Sequence, residues 1–592
     1  MTVRAAPWWR RGRGARSRLR RTALVGLLIG VLLLAGSGWV GFRGWQTRGH
    51  LLVAAELARE LGAHLVGGDV EHARATLSAL QERAAAARRA TADPGWALGR
   101  RAPYAGDDLT AVRQVAVTVD ELAHRAFPRL LGLDLEDLLP RQGRLDLAGL
   151  GAAEQDLAAA DEVVRQARTR LGGVPAAGLT RQVDAAVTEL RAEVDRLAGL
   201  TGAVSRGAAL LPPLLGVAEG RDYLLLSQNL AELRATGGMF GAYAVVRAER
   251  GRIRLVRQGT AGQLGHFLPP LPGVSPEMRG LYTDLPGIWP ADVNLTPHFP
   301  TAAALYHEMY RRRTGETVDG VLATDPVALS YLLAVTGPVE VPGFGRLTAD
   351  GAVRSLLSES YLKLDLRRQD EFFARSAAAV LETLLARSAQ PRALLSAFDR
   401  SVAEGRILFW SAHPEEQRTL GESRLTGVLP EREAQPTVGV FLNDGSGAKL
   451  GYYLEPSAEL TVGGCRPDGR HELRLRMSLH STAPRSGLTP SVLGVGRAGD
   501  PYVVRTLVYV FSPAGGTVLR ARLDGTETPL GSGTERRRQV AVATVEVGPA
   551  GTRTLEVDLL SAPGGTGGAE LRLTPTATPW TTHIHTASPC HQ

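Results

Sequence analysis

Lysine is nearly missing from this chain of 592 residues: Lys363 and Lys449 are the exceptions among 68 basic side chains, and arginine fills the rest. That usage points to a high-GC genome rather than to a mechanism. Net charge is missing as well, once the first 21 residues are set aside. Arg4, Arg10, Arg11, Arg13, Arg16, Arg18, Arg20 and Arg21 equal the whole chain's +8, with no acidic residue among them. Residues 22–592 therefore carry no basic excess to neutralise phosphates, and nucleic acid is excluded as a partner despite a pI near 9.7. Cysteine is scarce: Cys465 and Cys590 allow at most one bridge. No Gly-x-Ser-x-Gly elbow, P-loop or dinucleotide glycine motif after a strand occurs. His307-Glu308 lacks the second histidine of a zinc-protease helix, and Ser360-x-x-Lys363 stands without its usual partner motifs. His583, His585, Cys590 and His591 form a short metal-type tract with no matching ligand pair elsewhere.

What is present begins with one long apolar run, Ala23 to Val40, directly behind the basic arm. Such a run suits a bilayer core of about 30 Å, with the arginines on the cytoplasmic side. Trp8, Trp9, Trp39 and Trp45 flank it as interfacial aromatics would. The reading is a cytoplasmic arm (1–21), a transmembrane helix (22–42) and a bulk outside the cytoplasm, in contact with membrane lipid. A signal peptide cleaved near Ala35-Gly36-Ser37 is the rival, weakened because the apolar stretch continues past it. In an oxidising exterior Cys465 and Cys590 can pair, or remain two separate thiols.

Amphipathic spacing predicts helices over 48–89, 107–131, 152–171 and 180–210, a bundle or stalk spanning 43–215. From residue 221 strands alternate with helices, implying an α/β domain over 216–430. After Pro436 eight short alternating segments follow, among them 437–442, 450–454, 471–479 and 539–547, which read as a β-sandwich over 436–573. Residues 574–592 form a Pro/Thr-rich tail, irregular unless Cys590 ties it down. The fold class expected is multi-domain α+β.

The most distinctive run is Asn229-Leu-Ala-Glu232-Leu-Arg234-Ala-Thr236-Gly237-Gly238-Met-Phe240-Gly241, preceded by Tyr223 to Gln228. Glycines here allow close backbone approach, so the loop could offer amides to an anion that Asn229, Glu232 and Arg234 enclose. It could equally be a tight turn in which Glu232 and Arg234 pair. With Thr317-Val-Asp319-Gly320, Thr336-Gly337-Pro338, Phe409-Trp410-Ser411, Glu416-Gln417, Asn443-Asp444, Lys449 and Tyr452-Tyr453, the run resembles the domain-of-unknown-function 4012 family over about residues 90–560. That family comprises bacterial single-pass envelope proteins without an established activity, and an actinobacterial source fits the arginine usage.

The order of strands, arginine turn, Val-Asp-Gly strand and Gly-Pro-Val strand is also similar to the LytR-CpsA-Psr ligases. Those enzymes move glycopolymers from polyprenyl-pyrophosphate carriers onto the cell wall. The resemblance implies that Arg234, Arg367 and Arg368 hold a diphosphate, since guanidinium groups neutralise such a leaving group well. It departs from the ligases around Arg234, where Glu232 precedes and Thr236-Gly237-Gly238 follow. Asp284 and Asp292 in a Pro-rich loop could hold a divalent cation such as magnesium beside the diphosphate. Two functions follow: binding or transfer of lipid-pyrophosphate-linked glycan in envelope polysaccharide assembly, or a non-catalytic envelope scaffold that binds partners or cell-wall polymer.

Overall fold

The computed structural model describes residues 13–67, 69–103, 105–132, 147–175, 178–386, 391–421, 423–431, 433, 435–494, 499–564 and 567–587. The chain forms two compact units, Met1–Leu138 with Ala148–Ala209, and Leu139–Leu147 with Leu210–Gln592.

The first unit is helical. Its helices are Arg13–Gly67, Val70–Thr91, Pro94–Gly99, Gly106–Glu121 and Leu147–Gly172, followed by Arg181–Leu214, which ends in the second unit. Gly106–Glu121 continues through one π-helical turn, Leu122–Ala126, into Phe127–Leu131. The single helix expected over 48–89 is two. Asp69 stops the first and caps the next by accepting from the His72 amide at 3.2 Å, as a short carboxylate at an N-cap does. Small and branched residues fill the contacts: Ala54, Leu61, Ala73, Leu77 and Leu80 in one cluster, Leu122, Val163, Val164, Leu171 and Val194 in another.

The transmembrane segment expected over 22–42 is not a separate element. It lies within the 55-residue helix Arg13–Gly67, whose residues 13–30, 32 and 33 are described by backbone alone. Among the described residues no helix is long and apolar enough to cross a membrane. Trp39 belongs to the bundle as well as to that helix: its indole N–H donates to Asp93 Oδ1 at 3.0 Å, and the Arg43 guanidinium lies 4.9 Å from its ring centre.

The second unit contains three larger sheets. The first holds β1 (Arg221–Arg234), β2 (Gly237–Glu249), β3 (Arg252–Thr260) and β4 (Gly320–Thr324). A short hairpin of β5 (Val339–Val341) and β6 (Gly345–Leu347) stands apart, and β7 (Leu408–Ser411) closes the sheet in the order β3-β2-β1-β4-β7. Only β1 and β4 run parallel within it. Period-2 alternation covers both faces. Leu224 and Leu226 join Phe240, Phe299, Tyr306 and Tyr310 in one core, while Tyr223 points to the opposite cluster with Val246 and Phe409.

The remaining strands are β8 (Thr437–Asp444), β9 (Leu454–Cys465), β10 (His471–Ser481), β11 (Val504–Phe511), β12 (Thr517–Leu523), β13 (Thr526–Glu527), β14 (Gly531–Glu535), β15 (Arg538–Val547), β16 (Thr552–Leu560), β17 (Glu570–Leu573) and β18 (Thr581–His585). They form two sheets, β13-β12-β16-β10-β9-β18 and β14-β15-β11-β8-β17. Val438, Val440 and Leu442 of β8 pack with Leu473, Leu475 and Leu479 of β10 in the core between them. The other face of the second sheet is also buried: Phe441, Tyr509 and Phe511 join the core of the first sheet. That is why every residue of β8 from Thr437 to Asn443 is buried. Two expectations need correction. Residues 450–453 form a 3-10 turn rather than a strand, and the tail is not wholly irregular, because β18 pairs in parallel with β9.

Candidate functional site

The distinctive motif is a strand hairpin, not an open loop. β1 runs through Asn229 and Glu232 to Arg234, turns at Ala235-Thr236, and returns as β2 from Gly237. The register jumps between Asn229 and Leu233, so residues 230–232 leave the β1–β2 ladder yet stay buried, and Asn229 Oδ1 accepts from the Ala231 amide at 3.1 Å. The glycines serve this geometry. Gly237 has φ +137°, and a Cβ on Gly238 would lie 2.1 Å from the Asn229 carbonyl oxygen.

Arg234 is 6% exposed and engaged on every side by protein. Its Nε donates to Ala291 O at 3.2 Å, Nη1 to Leu233 O at 2.9 Å, and Nη2 to Asp292 at 2.9 Å and Glu232 at 3.4 Å. Burial pulls the guanidinium pKa down, but Glu232, Asp292 and Asp444 outweigh it and hold the group above its ordinary value. Glu232 also meets Lys449 Nζ at 3.6 Å, and that ammonium lies 5.4 Å from the Tyr361 ring centre. Asn229 Nδ2 donates to the Tyr361 hydroxyl at 3.0 Å. Burial pushes the Asp444 carboxyl up, although Ser446 donates to it. The site is thus a closed ionic cluster linking β1, the Pro290–Leu295 turn and the residues after β8.

Other residues of the recognisable motifs make a second tie. Asp319 accepts from Arg221 at 3.0 Å and from the Asp222 amide at 2.8 Å, and lies 2.8 Å from His413 Nε2. Ser411 donates to Glu416 at 2.6 Å while its amide donates to Gln417. The Ser411 hydroxyl is therefore aimed at a carboxylate, while the His413 ring faces Asp319. Ser360 donates to Leu356 O and Lys363 pairs with Glu359, so Ser360-x-x-Lys363 is not a working pair either.

Arg367 and Arg368 do not join Arg234 around one group. Arg367 is exposed; Arg368 pairs with Glu371 at 3.2 Å and stacks 4.4 Å from the Phe344 ring centre. Asp284 is bound to Arg279 at 2.6 Å and Asp292 to Arg234, so each carboxylate has its own arginine. Among the described residues no group of three or more His, Cys, Asp or Glu is arranged to hold a metal ion. Cys465 is disulfide-bonded; Cys590 lies outside the described residues, as does His591. His585 pairs with Glu459 on the exposed edge strand β18. Sequence reasoning quoted Asp444 and Lys449 as motif residues without placing them at this cluster, and it read Asp292 as a metal ligand.

Residues 218–361 match the model of a protein family described as Protein of unknown function (DUF4012). That supports the expected family for this stretch, which is narrower than residues 90–560. No curated protein matches the chain. Among solved structures, one of a "putative nutrient binding protein" from Legionella pneumophila is similar at 9% identity, with a TM-score of 0.15. The likeness covers 21% of this chain and 42% of that one.

Proposed function

We propose that the chain is a membrane-anchored protein of the cell envelope that binds polysaccharide or its partners without transferring it. One observation favours binding over transfer: Arg234, the arginine most suited to a diphosphate, is buried with its donors already on two carboxylates and two carbonyls. Bringing a diphosphate there would set two negative groups against Glu232 and Asp292 in a largely buried site, where like charges repel strongly. Arg368 stands with partners of its own, Glu371 and the Phe344 ring, and Arg367 is exposed. The anchor reading rests on the basic arm ahead of the Ala23–Val40 run, and the polysaccharide reading on the likeness to glycopolymer ligases alone.

The test uses the full-length protein in detergent. It is incubated with isolated cell-wall polymer, and separately with a polyprenyl-pyrophosphate-linked glycan plus acceptor wall and magnesium. Sedimentation with the polymer and no release of polyprenyl pyrophosphate is the expected result. Glycan transfer above the no-protein control would refute the proposal.

A further inference from the structure

A cavity of about 340 Å³ opens in the second unit, at the small end of ligand pockets, which run roughly 300–1,000 Å³. Its walls come from the Ala235-Thr236 turn, the segment around Arg406, Arg424, and the stretch from Arg572 to Trp580. The charges around it do not balance locally. Arg406 is buried against Asp325 at 3.1 Å and Glu404, which Arg400 shares, so two cations there meet two carboxylates. Arg424 and Arg572 share one carboxylate, Glu570. Among the described residues one positive charge is left over.

That charge resides on Arg572. Its side chain is 21% exposed. Nε lies 3.0 Å from Glu570 Oε1 but is buried and not aligned for a hydrogen bond. Among the described residues nothing accepts from its two Nη groups. Neither Nη is among the buried unpartnered atoms, so solvent or an anion can reach them, and an anion would form charge-assisted hydrogen bonds there. Burial, then Arg424, pulls its pKa below the ordinary arginine value. The other walls suit a ring with hydroxyls. Trp580 has its indole N–H tied to Thr574 O at 2.8 Å, which leaves aromatic carbon as its contribution. Thr236 lines the turn side, and behind it Gln228 Nε2 and Asn294 Oδ1 are buried without partners among the described residues.

We infer that this cavity binds an acidic saccharide, its anionic group on Arg572 and Arg424 and its ring against Trp580. The choice of a saccharide rests on the envelope-binding reading; the surplus charge and the cavity do not.

Titration calorimetry of the full-length protein tests it, with a uronate oligosaccharide, a neutral oligosaccharide of equal length, and inorganic phosphate as probes. The uronate binds at least tenfold tighter than either other probe, and Arg572→Gln weakens it about tenfold or more, a change of about 1.4 kcal/mol. Should Arg572→Gln fail to fold, the more exposed Arg424→Gln reads the same contact. Equal binding of phosphate and uronate overturns the saccharide assignment. Unchanged uronate affinity in both variants overturns the site. If no probe binds while cell-wall polymer still sediments with the protein, the site is refuted and the envelope-binding reading stands; if the polymer is lost too, that reading falls separately.

Discussion

Replacing Arg234 with methionine separates a structural cation from a ligand-binding one. Methionine keeps much of the buried stem while removing the charge. Glu232 and Asp292 are then left without their guanidinium in a site where Arg234 is 6% exposed, and Lys449, 3.6 Å from Glu232, is the one cation still paired there. Removing one partner of a buried ion pair costs about 3–5 kcal/mol. That is a large share of a typical total of roughly 5–15 kcal/mol. The assay is amide hydrogen exchange by mass spectrometry on peptides from β1 and β8, whose slowest amides open with the whole unit. At about 1.4 kcal/mol per factor of ten, those amides exchange roughly 10²–10⁴ times faster in Arg234→Met. Adding Asp292→Asn removes one stranded carboxylate, so the double variant recovers part of the loss, a coupling of about 0.5–3 kcal/mol. Exchange within a factor of two of wild type would refute the reasoning. It would mean that Arg234 is idle in the free protein and waits for an anion.

His298 is neutral in the fold because burial, then Arg536, pulls its pKa down to about 3. Between its ordinary value of 6.5 and about 3 the unfolded chain takes up a proton that the folded one refuses. Stability therefore falls as pH drops through that window, by up to about 1.4 kcal/mol per unit; His298→Asn, which can still cap the Phe299–Thr314 helix, should flatten that slope in urea titrations at stepped pH. Asp319→Asn weakens charged contacts to Arg221 and His413 and should cost about 1–3 kcal/mol in thermal melts; an unchanged melt would show the tie to be idle. Reducing the disulfide at Cys465 should speed exchange in β18 while β10 stays protected, and equal exchange in both redox states would break the link between them. Deleting residues 1–42 should move the protein from the membrane pellet to the soluble fraction, and retention in the pellet would contradict the anchor.

Strands with one wet face were legible because polar and apolar residues alternate along them. His471–Ser481 buries every second residue, as its sequence implies, and the strand expected over 539–547 is present as Arg538–Val547. The long β1 was not, because Gln228, Asn229, Glu232 and Arg234 read as loop residues; they are buried by pairing across the unit, which no local pattern records. Gly67-Gly68-Asp69 carried a stop signal inside an otherwise helical stretch, and alanine-rich periodicity hid it. β18 was obscured by its threonines and histidines, since an exposed edge strand has no hydrophobic face to display. At the candidate site the pairing of Glu232 with Arg234 was one of two readings open from their spacing. Asp292 is 58 positions from Arg234, so nothing local could reveal it as the closer partner.

The residues that make the chain recognisable are mostly residues that hold its parts together. Glu232 and Arg234 reach Lys449 and Asp292; Asn443 donates to Leu295 O at 3.0 Å; a Cβ on Gly451 would lie 2.9 Å from the carbonyls of Leu230 and Ala231. Tyr361 accepts from Asn229 through its hydroxyl, while its carbonyl accepts from Thr489. The family match ends at Tyr361, yet the cluster it contains is completed by residues beyond Pro436. A motif of this kind is constrained by burial at several points at once, which makes it conspicuous in sequence without making it open to a ligand. The cavity at Arg572 lies along the same junction but differs in one respect. Its arginines outnumber the carboxylates they share, whereas Arg234 already has two of its own. Surplus charge beside open space, rather than the most distinctive motif, is therefore the better guide to where this molecule binds.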